Sequence, residues 1–198
     1  MSTISLTSST GTVPVFYVTT EGQTRKIAEQ IAATLREQGF DSEALELSPR
    51  TQVDWLRVRA VVIGASIHVG RHQKAAVDFA RHEAPHLSAR PSAFFSVSLS
   101  AGSGNPAEVE AARGLAQTFV TAAGWATQRV RCFAGKLAYS QYGFLTRQAM
   151  RFIAWREGAP TDTRRDYEFT DWAAVRQFAL DFAADVRSIE HLENRPAV

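Results

Sequence analysis

The chain has 198 residues, of which 45% are hydrophobic and 21% charged, a composition typical of one globular domain rather than of a disordered or fibrous protein. Its net charge of +2 is too small to indicate nucleic-acid binding. The single cysteine, Cys132, excludes an internal disulfide, and we expect it to be a small core residue in a reducing compartment. The start of the chain lacks the basic, apolar pattern of a secretory signal, which favours the cytoplasm.

The first third of the chain alternates apolar strands with a helix. Residues 13–18 are a short run of apolar β-branched and aromatic residues, and residues 27–35 place apolar side chains at helical spacing. Residues 42–47 alternate as a half-exposed strand does, whereas residues 59–67 are apolar on both faces, as expected of a central strand.

The remainder continues this alternation. In chain order we expect a helix near 75–80 that ends at Pro85, a strand at 92–100, a helix at 107–125, a fifth strand at 130–139 and an amphipathic helix at 172–189 capped by Thr170 or Asp171. Parallel neighbouring strands need right-handed crossover helices, so the pattern predicts an α/β fold with a doubly wound, five-stranded parallel sheet. Ligands of such sheets bind beyond the carboxyl ends of the strands.

We divide the chain into a flexible leader (1–12), one domain (13–189) and a tail (190–198). Within the domain a long insertion, about 140–170, separates the fifth strand from the last helix, and segments of that length are usually functional or disordered. Basic residues concentrate around it, because residues 129–165 alone carry a net charge of +6.

The loop after the first strand, residues 19–24, reads Thr-Thr-Glu-Gly-Gln-Thr. Its hydroxyls, the glycine and the N–H groups of a helix start are suited to binding a phosphate without a basic side chain. The alternative is an ordinary strand-to-helix turn in which a threonine caps the helix.

Two other phosphate motifs fit less well. The P-loop string is absent, which argues against nucleoside triphosphate chemistry. Residues 102–107 match G-x-G-x-x-A, but no acidic residue follows about 20 positions on, as a dinucleotide site requires. That loop either lets a flat ligand approach or is a plain turn.

Several motifs in order resemble one family. The loop at 19–24 and GASIHVG at 64–70 are similar to the phosphate and ring loops of the flavodoxin-like superfamily. VVIGASI at 61–67, RPSAFFSVSL at 90–99, CFAGKLAY at 132–139 and PTDTRRDYEFTDW at 160–172 more closely resemble the menaquinone-dependent protoporphyrinogen IX dehydrogenases, over roughly residues 13–187.

This resemblance implies strand order 2-1-3-4-5, FMN as cofactor, and electron transfer from protoporphyrinogen IX to menaquinone or ubiquinone in haem biosynthesis. Family members often place an aromatic residue where this chain has Val69, so ring stacking is expected to be weaker or to come from Tyr142. The implied cofactor-binding residues are Thr19, Thr20, Glu21, Gly22, Gln23 and Thr24 at the phosphate, and Ala65, Ser66, Ile67, His68, Val69, Gly70, Ser98, Leu99, Ser100 and Gly102 around the ring.

No conventional acid–base constellation stands out, and the catalytic residues stay unassigned. His68 and His72 flank the ring loop and can move protons during flavin chemistry, or can be ordinary exposed histidines. His82, His86 and His191 lack the spacing of metal ligands, so no metal site is expected.

Residues 144–156 read as an amphipathic helix with Arg147 and Arg151 opposite its apolar stripe. The stripe suits the inner face of the cell membrane, the protein's own sheet or a second copy of the chain. Lys136, Arg147 and Arg151 are the basic residues we expect to bind acidic groups of the substrate.

Two other functions share this fold. One is a flavodoxin-like electron carrier, which the chain's basic charge disfavours because such carriers are typically acidic. The other is an NAD(P)H:quinone reductase, for which we find no nicotinamide site.

Overall fold

The computed structural model describes residues 11–127, 129–137, 162–163 and 165–193. Eight strands and five α-helices lie within these ranges. In chain order they are β1 (Val15–Val18), α1 (Gln23–Glu37), β2 (Ala44–Glu46), β3 (Val61–His68), β4 (Arg71–His72), α2 (Lys74–His82), α3 (Ala84–Ser88), β5 (Ser92–Ser98), α4 (Pro106–Ala123), β6 (Arg129–Ala134), β7 (Lys136–Leu137), β8 (Tyr167–Glu168) and α5 (Trp172–Glu193).

The main sheet confirms the predicted doubly wound fold. Its parallel strands run in the order β2-β1-β3-β5-β6, which is 2-1-3-4-5 when only these five are numbered. β3 pairs with β1 on one side and β5 on the other, so it is central as predicted. The strand order reverses between β1 and β3, and the loops that follow those two strands therefore meet at one edge of the sheet.

Two apolar layers cover the sheet. One packs α1 and α5 on one face around Ile31, Phe95 and Phe182, and the other packs α2 and α4 on the opposite face around Phe94 and Phe119. The first layer places α5 beside α1. The start of α5 therefore lies near the loop that precedes α1.

Several boundaries differ from the sequence prediction. The strand predicted over 130–139 is wrong as one element: β6 ends at Ala134, Gly135 donates its N–H to the Ser98 carbonyl at 3.0 Å, and β7 leaves the sheet to pair with β8. The helix expected to end at Pro85 ends earlier, at His82, and Pro85 lies in the first turn of the short helix α3. Asp171 is the side-chain cap of α5, since its Oδ1 accepts from the Ala174 N–H at 3.0 Å.

The structure describes the last residues of the proposed leader and the first residues of the proposed tail. Thr12, assigned to the leader, forms a parallel bridge with Val58, and α5 continues into the proposed tail as far as Glu193. Cys132 is partly buried in the sheet, as predicted, and its Sγ lies 3.6 Å from the Ala112 carbonyl. In the described part of the chain no helix is both long and apolar enough to cross a bilayer.

Candidate functional site

The loop between β1 and α1 is shaped by Thr19 and Gly22. Thr19 Oγ1 accepts a hydrogen bond from the Gly22 N–H at 2.9 Å, which closes the loop on itself. Gly22 has φ 82, a left-handed conformation that glycine adopts without strain, and no heavy atom lies within 4 Å of where its Cβ would be. The loop therefore presents backbone and hydroxyl groups around an open space.

The first turn of α1 is not completed by its own side chains. Gly22 supplies no side-chain cap, and the turn contains no acidic residue. Thr24 is buried, and its hydroxyl oxygen has no hydrogen-bond partner among the described residues. A helix start with unused N–H groups and an unsatisfied buried hydroxyl is suited to binding an anion.

A cavity of about 390 Å³ opens at this loop. It lies at the carboxyl end of β1, where the sheet topology predicts a ligand. Its lining combines the loop with charged residues from the surrounding elements: Thr19, Thr20, Glu21, Gly22, Gln23, Arg25, Lys26, Glu46 and Lys136. Thus all but Thr24 of the six predicted phosphate-loop residues line one cavity, and Thr24 lies buried beside it.

The predicted ring loop is a β-hairpin, although its sequence pattern indicated only an irregular loop. β3 and β4 pair antiparallel through Ile67–His72 and His68–Arg71, and the two residues between them, Val69 and Gly70, have φ 49 and 72. This is the left-handed pair that a two-residue hairpin turn requires. Valine is unusual there because its branched Cβ crowds the backbone, and its side chain is 88% exposed. The hairpin therefore presents a strained, apolar tip to solvent.

Gln73, which sequence reasoning missed, joins the two predicted loops. Its Nε2 donates to Thr20 Oγ1 at 3.1 Å and to Ser66 Oγ. Gln73 also occupies the N-cap position of α2, so the start of that helix fixes it between the phosphate and ring loops. Its position just before a helix, directly after the ring-loop motif, was the available signal.

The two candidate histidines lie in different environments. His68 is exposed on the hairpin, whereas His72 is partly buried and packs edge-on against the stacked rings of Phe94 and Phe119, with its Nε2 2.9 Å from Ser96 Oγ. Burial lowers the pKa of His72 to about 4, so its imidazole is neutral at pH 7. His72 is therefore not a cationic proton donor at neutral pH.

The segment after β5 packs closely against β6 at its last residue, Gly102. Residues Ser100–Gly102 form a 3-10 turn, and the Ser98 hydroxyl accepts from the Ala101 N–H at 3.1 Å. A Cβ on Gly102 would lie 2.6 Å from the Ala134 Cβ, so only glycine lets this turn approach β6. This contact explains Gly102 without a ligand, while Ser98, Leu99 and Ser100 lie at the carboxyl end of β5.

The base of the insertion reaches the start of α1. We call β7, β8 and the residues 166–170 around them the stalk. Gln23 Nε2 donates to Thr170 Oγ1 at 2.8 Å, and Lys26 Nζ lies 3.2 Å from Glu168 Oε2. Although burial raises the pKa of Glu168, hydrogen bonds from Trp172 and Lys26 lower it below its usual value overall. The Glu168 carboxylate therefore stays ionised and bonds the stalk to α1 through Lys26.

Lys136 belongs to the stalk and lines the phosphate-loop cavity. It was predicted to bind acidic groups of a substrate, and it lines the same cavity as Thr19 and Gly22. Arg147, Arg151, Tyr142 and the predicted helix at 144–156 lie outside the described residues.

Comparison with known proteins shows which family the chain belongs to. The flavodoxin-domain family model matches residues 14–164. A protoporphyrinogen IX dehydrogenase (quinone) of Escherichia coli strain K12 is 32% identical over 184 residues, which cover 93% of this chain and 97% of that protein. The chain belongs to the protoporphyrinogen IX dehydrogenase family of flavodoxin-domain proteins. A member from Leishmania major is 35% identical over 173 residues, covering 86% of this chain and 74% of that protein.

Solved structures share the fold of this dehydrogenase family at low identity. Flavodoxin 1 of Bacillus cereus superposes with a TM-score of 0.54 at 16% identity, covering 87% of this chain and 97% of the flavodoxin. Rubredoxin oxygen:oxidoreductase of Desulfovibrio gigas has a TM-score of 0.52 at 13% identity, covering 89% of this chain and 36% of that one. A flavodoxin domain implies that the chain binds a flavin.

Proposed function

We propose that this protein oxidises protoporphyrinogen IX to protoporphyrin IX with FMN as cofactor and passes the electrons to a quinone. The reaction removes six electrons and six protons from the substrate, which corresponds to three two-electron rounds, each reducing one quinone to a quinol. When bound, FMN supplies this two-electron chemistry, and the protein supplies binding and orientation. The family relatives, named for this reaction, support the substrate and the acceptor.

The observation that carries the FMN assignment is the incomplete start of α1. Thr19 and Gly22 line a cavity, with the buried Thr24 hydroxyl beside it, that suits a phosphate group, and the phosphate is what distinguishes FMN from riboflavin. Ser66, Val69 and residues 98–100 would border the ring, since they lie at the carboxyl ends of β3 and β5.

Of the two candidate histidines, His68 is the one we propose as a proton carrier. It is exposed on the ring-loop hairpin, whereas His72 is partly buried and neutral. We thus propose flavin binding at the α1 start and proton exchange at the hairpin.

The test begins with the purified protein. We expect a yellow flavin spectrum, FMN as the flavin released on denaturation, and loss of the yellow colour when protoporphyrinogen IX is added without oxygen. Addition of a soluble quinone should restore the colour and yield protoporphyrin fluorescence. Reduction by NADPH but not by protoporphyrinogen IX would instead indicate a quinone reductase. Failure to bind FMN would contradict the dehydrogenase, the electron carrier and the quinone reductase alike.

A further inference from the structure

The first turn of α1 carries charges of the wrong sign for an unliganded helix. Arg25 and Lys26 are both basic, and no acidic residue accompanies them in the turn. The N-terminus of a helix already bears a partial positive charge, so cations there are unfavourable unless an anion lies nearby. Arg25 and Lys26 both line the phosphate-loop cavity.

A third basic residue reaches the same cavity from a distant part of the sequence. Lys136 comes from β7 in the stalk, and its side chain is only 17% exposed. Its Nζ lies 2.7 Å from Asp166 Oδ2, and that carboxylate is itself only 23% exposed. The ion pair fixes the ammonium group at the cavity wall, since a long lysine side chain otherwise samples many rotamers.

The acidic residues around the cavity must be counted as well. Glu21 and Glu46 line it, and Glu168 bonds Lys26 just outside. An ammonium group has three N–H donors, and among the described residues the contact with Asp166 uses one of them. Lys136 therefore has donor capacity for a second anion while it stays paired with Asp166.

We propose that Lys136 is a ligand of the terminal phosphate of the flavin, so that the stalk adds a cation to a phosphate site whose hydroxyl, backbone and other basic groups come from residues 19–26. The inference rests on the proposed function, because it requires that the bound flavin be FMN. The contact is a charge-assisted N–H···O hydrogen bond, which is about twice as strong as a neutral one. Asp166 acts as a positioning residue that holds the ammonium group in place.

This assignment couples cofactor binding to the insertion. The stalk already contacts α1 through Gln23 and Lys26, and a phosphate held by both Lys136 and the Thr19 loop adds a third connection. Phosphate binding then stabilises the position of the stalk over α1, and a fixed stalk raises the affinity for phosphate by the same factor.

The test compares FMN with riboflavin, which differ only in the phosphate. Apoprotein is titrated with each flavin, following fluorescence quenching, at low and high ionic strength. K136M and K136Q should each weaken FMN binding by roughly tenfold or more and reduce its salt dependence, while riboflavin affinity stays within about twofold. K136R should stay near wild type.

The chain offers a matched control in Lys74, an exposed lysine of α2 that is also paired with an aspartate, Asp78. K74M should leave both flavin affinities unchanged. K136Q keeps a hydrogen-bond donor for Asp166, so it provides the measurement if K136M does not fold. Thermal melts of each apoprotein establish that the variants are folded.

Three results would overturn the inference. An unchanged FMN affinity in K136Q would exclude Lys136 as a ligand of the phosphate. An equal loss of affinity for FMN and for riboflavin would show that Lys136 acts only on folding. A raised KM for protoporphyrinogen IX with unchanged FMN affinity would assign Lys136 to the substrate. In each case the proposed function survives, whereas a wild-type protein that binds no flavin contradicts the function itself.

Discussion

The strand-to-helix junctions β1–α1 and β5–α4 begin helices on the same sheet edge in opposite ways. At α4 the side chain of Asn105 accepts the Ala107 N–H at 3.0 Å, Pro106 has no N–H to satisfy, and Glu108 places a carboxylate in the first turn. The chain thus completes the start of α4 by itself.

At α1 none of these elements is present. Gly22 caps nothing, the first turn carries Arg25 and Lys26, and the buried Thr24 hydroxyl has no partner among the described residues. The difference supports the β1–α1 loop as the proposed phosphate site, because a helix start that its own side chains complete needs no ligand, whereas an incomplete one gains stability from an anion. The glycines at 102–107, which resemble a dinucleotide fingerprint, belong to the completed junction.

The largest expected effect comes from giving α1 the carboxylate it lacks. G22D places a negative charge in the phosphate space, where no atom blocks the side chain, and FMN affinity should fall on the order of 100-fold relative to G22N. The two variants have the same shape and share the strain of a left-handed non-glycine residue. Titration of each apoprotein with FMN measures the difference, and equal affinities would show that no anion binds at this junction.

An effect of intermediate size, a dependence of stability on pH, is expected at a third junction, where β4 leads into α2. His72 has its pKa lowered by burial from 6.5 to about 4, so the unfolded chain takes up a proton that the folded one resists. The stability that depends on the neutral imidazole of His72 is fully present above pH 6.5 and is lost as the pH falls toward 4. We expect a loss of about 2 kcal/mol in the free energy of unfolding, allowing for partial exposure.

Urea denaturation at several pH values measures this loss. H72Q retains a hydrogen-bonding group for Ser96 but cannot titrate, so its stability should lack this part of the pH dependence. If wild type and H72Q lose stability in parallel between pH 6.5 and 4, the imidazole does not cause the loss.

The smallest expected effect is at α4. N105A removes the side-chain cap and should lower the free energy of unfolding by about 1 kcal/mol while FMN affinity stays unchanged. N105D keeps an accepting oxygen and should retain the stability. A change in FMN affinity of N105A beyond about twofold would mean that the β5–α4 junction also contributes to the cofactor site.

Local patterns in the sequence predicted the alternation of strands and helices, the parallel sheet and the loop at 19–24, because each depends on short runs of residues. The strand order, in contrast, was implied by the family resemblance and is confirmed by the structure. The hairpin tip was missed since Val69 has none of the residue preferences of a left-handed turn. Gln73 was missed for another reason, and the position of Lys136 at the phosphate-loop cavity could not be predicted for the same one. Thr20 and the α1 start are distant in sequence from these two residues and come close to them only in the folded sheet.

The two-residue ladder between β7 and β8 closes the chain from residue 137 to residue 167. The entropy cost of closing a loop grows only with the logarithm of its length, so each doubling of length adds about 0.6 kcal/mol. The closure entropy of this segment therefore depends only weakly on the number of residues between the two strands. The ladder and its contacts to α1 thus set where the insertion is rooted, over the phosphate loop, whatever its length.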